Sequence, residues 1–311
     1  MGQVDVSAGV LIAPDGKVLF GQRPAAKVYA GYWEFPGGKV EPGETTRQAL
    51  DRELREELDI EVVHAYPWLT QTFSYPHASV RLQFFRVTEW KGDPVAKEHQ
   101  ALAWQQPEAS TLEPMLPANS PILRALALPA EYAVTGVAEL GETEYLRVLD
   151  ARLESGLRLI QLRERSLSRQ DIVRIGTETV RRAHRVGARV LVNSDETAAQ
   201  MIGADGVHLT AARMLTAGAR PGFNWVGASC HNADELQRAA RLGIDFVTLG
   251  TVAETPSHPG GPVLGWQQFA ALTAGTGVPV YAIGGLSRDH LEAAWTHGAH
   301  GIAMLRGAWV V

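Results

Sequence analysis

Three glutamates carry the chemistry that stands out in this 311-residue chain: Glu53, Glu56 and Glu57, within Arg52-Glu53-Leu54-Arg55-Glu56-Glu57. At i, i+3 and i+4 their carboxylates project from one face of a helix. Upstream lies Gly38-Lys39-Val40-Glu41-Pro42-Gly43-Glu44, separated from Arg52 by seven residues. Like charges at this spacing repel and destabilise a bare helix. They make sense if a hard, oxygen-seeking dication sits among them and bridges to phosphate oxygens; Mg²⁺ is the natural occupant, with Mn²⁺ as an alternative. Arg52 can fix neighbouring carboxylates by forked hydrogen bonds. Any lone Glu-Glu pair reads as a solvated acidic face. Here Gly38, Glu44, Arg52 and the three glutamates coincide with apolar Leu54 and Ile60, which argues for a site.

The elements that must position these groups are legible in outline. Thr45 and Gln48 have capping-box spacing, and Leu50, Leu54 and Leu58 form an apolar stripe, so residues 45–58 read as a helix. Val4 to Ala13 and Lys17 to Gln22 flank the turn Pro14-Asp15-Gly16, a hairpin signature. Ser79 to Trp90 alternates Val80, Leu82, Phe84 with Arg81, Gln83, Phe85, the pattern of a half-buried strand. The expectation for residues 1–129 is an α+β domain.

From Tyr132 the rhythm changes to short apolar runs separated by helical patterns: Tyr132–Thr135, Leu157–Leu162, Arg189–Asn193, Gly206–Leu209, Val226–Ser229, Phe246–Gly250, Val278–Ile283 and Gly301–Leu305. Eight such runs predict an α/β fold for residues 130–311, a (β/α)8 TIM barrel. At roughly 180 residues it is small for that fold, whose usual size is about 250. The tail after the eighth run, Arg306 to Val311, leaves room only for a short last helix. Leu128-Pro129-Ala130-Glu131 is too short to be a flexible tether.

A net charge of −5 offers no basic surface to a nucleic-acid backbone, so direct nucleic-acid binding is not expected. An anionic substrate would need a cation at the site. The single cysteine, Cys230, rules out an intrachain disulfide and a Cys-based zinc site. The start, Met1-Gly2-Gln3-Val4-Asp5-Val6, lacks the basic region of a signal peptide, and no apolar stretch is long enough to span a bilayer. The expectation is a soluble, cytoplasmic protein without membrane partners.

The glutamate segment resembles the Nudix family, whose box reads G-x5-E-x7-R-E-U-x-E-E-x-G-U, with U a bulky aliphatic. Every position matches except the final Gly, which is Asp59 here; Asp tolerates the left-handed conformation a helix end needs there better than most residues. The resemblance implies that Glu53, Glu56 and Glu57 bind metal together with the Gly38 carbonyl, and that Glu53 orients or deprotonates the attacking water. Residues 1–128 further resemble the MutT type at Gly21-Gln22-Arg23, Trp33-Glu34-Phe35-Pro36-Gly37-Gly38-Lys39, Lys97-Glu98 and Pro117-Ala118-Asn119. That type hydrolyses 8-oxo-dGTP to 8-oxo-dGMP and pyrophosphate and so cleanses the nucleotide pool of a miscoding base. Carried over, Glu98 is a further metal-proximal carboxylate, Arg23 meets phosphate or base, and Asn119 reads the purine edge. Alone, Asn119 reads as a turn or cap residue. Phe35 is a candidate for stacking on the base, with core packing its default. Another nucleotide, such as ADP-ribose, remains an alternative substrate.

Gln161-Leu162-Arg163, Asn193, Gly203-Ala204-Asp205-Gly206-Val207-His208-Leu209, Gly227-Ala228-Ser229, Ala282-Ile283-Gly284-Gly285 and Gly301-Ile302-Ala303 resemble thiamine-phosphate synthase and its TenI-like relatives. In such a barrel phosphate often binds after strands seven and eight, where Gly284, Gly285, Arg306 and Gly307 fall. Synthases carry acidic metal ligands where this chain has Ser194 and Ala211-Ala212, and a lysine in the loop that here reads Glu254-Thr255-Pro256-Ser257-His258. The expectation is a barrel that binds a small phosphorylated ligand but lacks synthase activity. Some TenI-like proteins are thiazole tautomerases that use a histidine after the fifth strand, the place of His231; that residue reads equally well as the start of a helix.

Overall fold

The computed structural model describes residues 3–74, 79–255 and 260–310; Pro256, Ser257 and His258 of the loop singled out above lie outside them. Two compact units result, one of residues 1–127 with 274–277, the other of residues 128–273 and 278–311.

In the first unit, β1 (Gln3–Leu11) is the central strand of a mixed sheet. It pairs in parallel with β6 (Ser79–Lys91) and antiparallel with the short β4 (Gly37–Lys39), while β5 (Glu61–Ser74) closes the far side of β6. A second sheet holds β2 (Val18–Gln22) between β3 (Trp33–Glu34) and β7 (Ala101–Gln105). The expected hairpin of the first two strands is therefore corrected. Only Ile12 and Val18 bridge around the turn, because both edges of each strand are taken by other partners.

The period of two along these strands sorts their side chains onto two faces. Ala8, Val10, Phe20 and Phe84 face one cluster with Ile122 and Ala125 of α2 (Ser120–Leu126). Leu11, Leu19, Phe85 and Val87 face the other, with Leu50, Leu54 and Leu58 of α1 (Thr46–Leu58). Residues 84–87 of β6 are thus buried on both faces, whereas residues 79–83 keep the half-buried pattern. Helix α1 begins at Thr45 with a complete capping box and ends at Asp59 in the left-handed conformation, φ 61°.

The second unit is a closed parallel barrel. Its strands are β8 (Glu131–Val134), β9 (Leu159–Leu162), β10 (Arg189–Asn193), β11 (Gly206–Leu209), β12 (Trp225–Cys230), β13 (Phe246–Gly250), β14 (Val280–Ile283) and β15 (Gly301–Met304). Each pairs with its neighbours in chain order, and β15 returns to β8. The helices are α3 (Val137–Leu140) and α4 (Glu142–Glu154), then α5 (Arg169–His184), α6 (Glu196–Met201), α7 (Ala211–Thr216), α8 (Ala233–Leu242), α9 (Gly265–Thr273) and α10 (Leu291–Thr296). Among the described residues, a single 3-10 turn, Arg306–Trp309, follows β15. A fully buried ring of Tyr132, Phe246 and Tyr281, with centroids 5.2–5.6 Å apart, fills the interior, so the site must sit above it at the strand ends.

Candidate active site

Helix α1 presents its three glutamates to very different surroundings. The Glu57 side chain is only 5% exposed, Glu53 is mostly covered, and Glu56 is at the rim. Gly37 is held at φ 142°, where a Cβ would lie 2.2 Å from the Ser7 carbonyl oxygen, and its N–H donates to Glu57 Oε2 at 2.9 Å. Gly38 lies against Glu53 so closely that a Cβ would come within 2.2 Å of the carboxylate carbon. The glycine pair thus serves to bring the β4 backbone onto the acidic face. Arg52 holds that face in place. It donates to both Glu44 oxygens at 3.0 Å, to Glu53 at 2.8 Å, to Glu56 at 3.3 Å and to the Lys39 carbonyl at 3.0 Å.

Burial pushes the Glu57 carboxyl up to about 8; the Gly37 N–H and Lys27 oppose this, and Glu34 and Glu53 add to it. Burial likewise raises Glu34, against the pull of Arg23. Lys27 stands between Glu57 and Glu98, its Nζ 3.7 Å from one and 3.3 Å from the other. Among the described residues no three acidic, histidine or cysteine side chains converge into a preformed metal cage. The donor set fits an ion that takes few carboxylates and completes its shell with water and phosphate, as Mg²⁺ does. A covered carboxylate held against a Cβ-free backbone is the kind of group such an ion would stabilise.

Gly38, Glu53 and Glu57 are therefore brought together, with Glu56 and Glu98 at the margin. His99 was not anticipated. Its ring is buried over Gly21, where a Cβ would lie 2.2 Å from the imidazole, and its Nδ1 has no hydrogen-bond partner. Nε2 stands 3.9 Å from Glu57, and burial pulls the ring down to about 4, leaving it neutral. Its place beside Glu98 in sequence was the only available signal.

The candidate nucleotide contacts divide. Asn119 is 2% exposed and precedes α2 without capping it. Its Nδ2 reaches only the Trp33 carbonyl and Met115 sulfur, both at 3.5 Å, so the cap role is not the one it fills. Arg23 is committed to Glu34 and the Val28 carbonyl. Stacking of Phe35 on a base is revised: its ring is buried 4.9 Å from Phe20 and 5.9 Å from Phe84, so packing is what it does.

In the barrel, a cleft of about 650 Å³ opens at the strand C-termini, lined by Gln161, Arg163, His208, Ser229, His231, Gly284, Gly285, Arg306 and Gly307 among others. A buried polar chain forms its floor: Gln161 donates to Tyr132 at 3.0 Å, and His208 lies 3.2 Å from Tyr132 Oη and 3.1 Å from Ser229 Oγ. Burial, with Arg163 nearby, pulls His208 down to about 3, so it stays neutral.

Gly284, Gly285, Arg306 and Gly307 all line this cleft. The Arg306 guanidinium is forked onto Glu139 at 2.8 and 3.0 Å, so its charge is already matched. Gly284 and Gly285 lack a Cβ because the backbone after β13 passes there: a Cβ would lie 2.9 Å from Thr251 Cα and 2.3 Å from the Glu254 carbonyl oxygen, respectively. Of the two arginines that line the cleft, Arg163 is the one without an ion pair among the described residues, and burial and Arg165 both disfavour its charged form. His231 lines the cleft with Nδ1 3.0 Å from Glu235 Oε2, which orients the ring. Where the resemblance implied metal carboxylates stand Ser194 and Ala211-Ala212, and the Arg213 guanidinium donates to the Ser194 carbonyl.

Comparison with known proteins agrees with this division. The NUDIX domain profile matches residues 3–126, and the profile described as thiamine monophosphate synthase matches residues 131–308. CTP pyrophosphohydrolase of Escherichia coli is 44% identical over 125 residues, covering 40% of this chain and 92% of the relative. The 8-oxo-dGTP diphosphatase of Haemophilus influenzae is 36% identical over 123 residues, covering 40% and 90%. A putative thiamine-phosphate synthase of Geobacter sulfurreducens is 35% identical over 178 residues, covering 56% and 84%. The chain therefore belongs to the Nudix family over its first unit, which marks it as a pyrophosphohydrolase acting on nucleotides, and to the thiamine monophosphate synthase family over its barrel.

Proposed function

We propose that the first unit hydrolyses 8-oxo-dGTP, adding water and breaking the link between the α and β phosphates to leave 8-oxo-dGMP and pyrophosphate. The observation that carries the hydrolase reading is Glu57, a carboxylate buried against Gly37 at the end of the acidic face. Gly38, Glu53 and Glu57, with Glu56 and Glu98, would hold the divalent ion. When bound, that ion would offset charge on the phosphates and make a water more acidic. Glu53 orients the attacking water, and Arg52 keeps the Glu53 carboxylate in place through its 2.8 Å contact.

Asn119 supports an oxidised purine. Its amide is buried but weakly engaged, so a donor and an acceptor are available side by side for O6 and the altered N7–H. An unmodified guanine has only an acceptor at N7 and would leave a buried polar atom unpaired, a mismatch worth about 1–3 kcal/mol. The similarity to a CTP pyrophosphohydrolase supports a second reading, a pyrimidine triphosphate. Comparing kcat/KM for 8-oxo-dGTP, dGTP, CTP and dCTP decides between them; a preference for CTP over 8-oxo-dGTP would overturn the purine assignment.

For the barrel, the unpaired Arg163 in a cleft that also holds Gln161 and Ser229 supports binding of a small phosphorylated ligand such as a thiazole or pyrimidine phosphate. Ser194 and Ala211-Ala212 stand where metal carboxylates would be needed, which argues against expelling diphosphate. His231, paired to Glu235, keeps a proton-shuttling role such as thiazole tautomerisation in view.

A further inference from the structure

We infer that Lys27 is a resident counter-cation of the Glu57–Glu98 carboxylate pair, one that an arriving divalent ion must displace and that then turns to the nucleotide phosphates. The inference rests on reading this site as a metal centre.

The two carboxylates come from separate elements. Glu57 belongs to α1; Glu98 lies between β6 and β7, in a segment tied to the helix end by Lys97 N–H to the Glu57 carbonyl at 3.0 Å and Val95 N–H to the Leu58 carbonyl at 2.9 Å. That tie brings two carboxyl groups to one place. The ammonium 3.3 and 3.7 Å from them is the cation that meets both.

The loop between β2 and β3 is built to deliver it. Lys27 N–H donates to the Pro24 carbonyl at 3.1 Å, Arg23 Nε to the Val28 carbonyl at 2.8 Å, and Gly31 N–H to the Arg23 carbonyl at 2.9 Å. The neighbouring guanidiniums are committed elsewhere, Arg23 to Glu34 and Arg52 to Glu44, Glu53 and Glu56. Lys27 differs from an ordinary surface ion pair in that its partner Glu57 is almost covered, while its own side chain is 43% exposed on a flexible stem. A cation so placed can leave without opening a cavity.

A dication carries twice the charge and approaches carboxylates to about 2.0–2.1 Å, so it displaces the ammonium, but at reduced apparent affinity. The freed lysine remains beside the ion-binding face, and an ammonium is a compact partner for phosphate oxygens.

The test is Mn²⁺ binding at pH 8.5, where Glu57 is ionised, to the nucleotide-free full chain by calorimetry, for wild type, Lys27→Met and Lys27→Arg, with circular dichroism to check the fold. Lys27→Met should tighten Mn²⁺ by about fivefold, the size expected for losing a half-exposed ion pair. Lys27→Arg keeps the charge and should stay within about twofold of wild type by the same scale. With Mg²⁺ saturating, Lys27→Met should also raise KM for the triphosphate. Unchanged or weaker Mn²⁺ binding in Lys27→Met overturns the inference, as does an unchanged KM. Absence of stoichiometric Mn²⁺ binding in the wild type would instead overturn the metal-centre reading beneath it.

Discussion

Replacing Glu57 by Gln should cost the enzyme its activity and give the metal-free protein stability. The carboxyl is covered by protein, and burial has moved it from 4.5 to about 8. At about 1.4 kcal/mol for each tenfold change in proton affinity, that corresponds to a ceiling of roughly 5 kcal/mol, and to a few kcal/mol once the surroundings relax. The direction follows from proton binding. Between the unfolded value and about 8 the native state holds a proton that the unfolded chain has released, so native stability is full at low pH and declines as pH rises through about 8. Glutamine keeps the shape and can still accept from the Gly37 N–H but never ionises, so that decline should vanish. The assay is thermal unfolding in chelator from pH 5 to 8.5, following the transition that shifts when Mg²⁺ is restored to wild type. The variant should melt higher than wild type at pH 8, with little difference at pH 5, and its kcat should fall on the order of a thousandfold as ion-mediated stabilisation of the phosphates is lost. A variant less stable than wild type at pH 8 in chelator, or one with near-normal kcat, refutes this reasoning.

Other sites give sharper geometric tests. Gly38→Ala should push Glu53 aside, since the new methyl would lie 2.2 Å from its carboxylate; kcat should drop about a hundredfold with melting temperature little changed, and kinetics alongside unfolding checks both. Gly21→Ala should destabilise the first unit by about 1–3 kcal/mol because its Cβ would enter the His99 ring, and adding His99→Ala should recover part of that in denaturant titrations. Asn119→Ala should lower the preference for 8-oxo-dGTP over dGTP by about tenfold or more while sparing dGTP turnover; equal loss on both substrates would leave it a positioning role only. Arg163→Gln should abolish calorimetric binding of a thiazole or pyrimidine phosphate to the barrel, and the wild-type chain should form no thiamine phosphate from the two precursors.

What was legible in the sequence was local or periodic. The helix of residues 45–58 declared its capping box, its leucine stripe and the left-handed stop at Asp59, and all three are present. The eight apolar runs are the eight barrel strands, because strand and helix periods alternate without interruption. What escaped depends on partners distant in sequence. The turn at Pro14-Asp15-Gly16 carries hairpin residues, yet the strands it joins enter different sheets because β4 and β6 claim one and β3 and β7 the other. Gly21 and His99 fit together across most of the first unit, and neither residue type signals the other. The pairing of Arg306 with Glu139, 167 residues away, likewise has no signal in either residue's local sequence. Arg163 carries the opposite lesson: a charged residue inside a named motif became a candidate ligand contact only when the fold placed it in a cleft without an ion-pair partner.

The most direct test of the central claim is to follow 8-oxo-dGTP by ³¹P NMR with the full chain and Mg²⁺, then with chelator. Signals of a nucleoside monophosphate and pyrophosphate should grow with Mg²⁺ and stop with chelator. Release of orthophosphate with a nucleoside diphosphate, or turnover that continues in chelator, would contradict it.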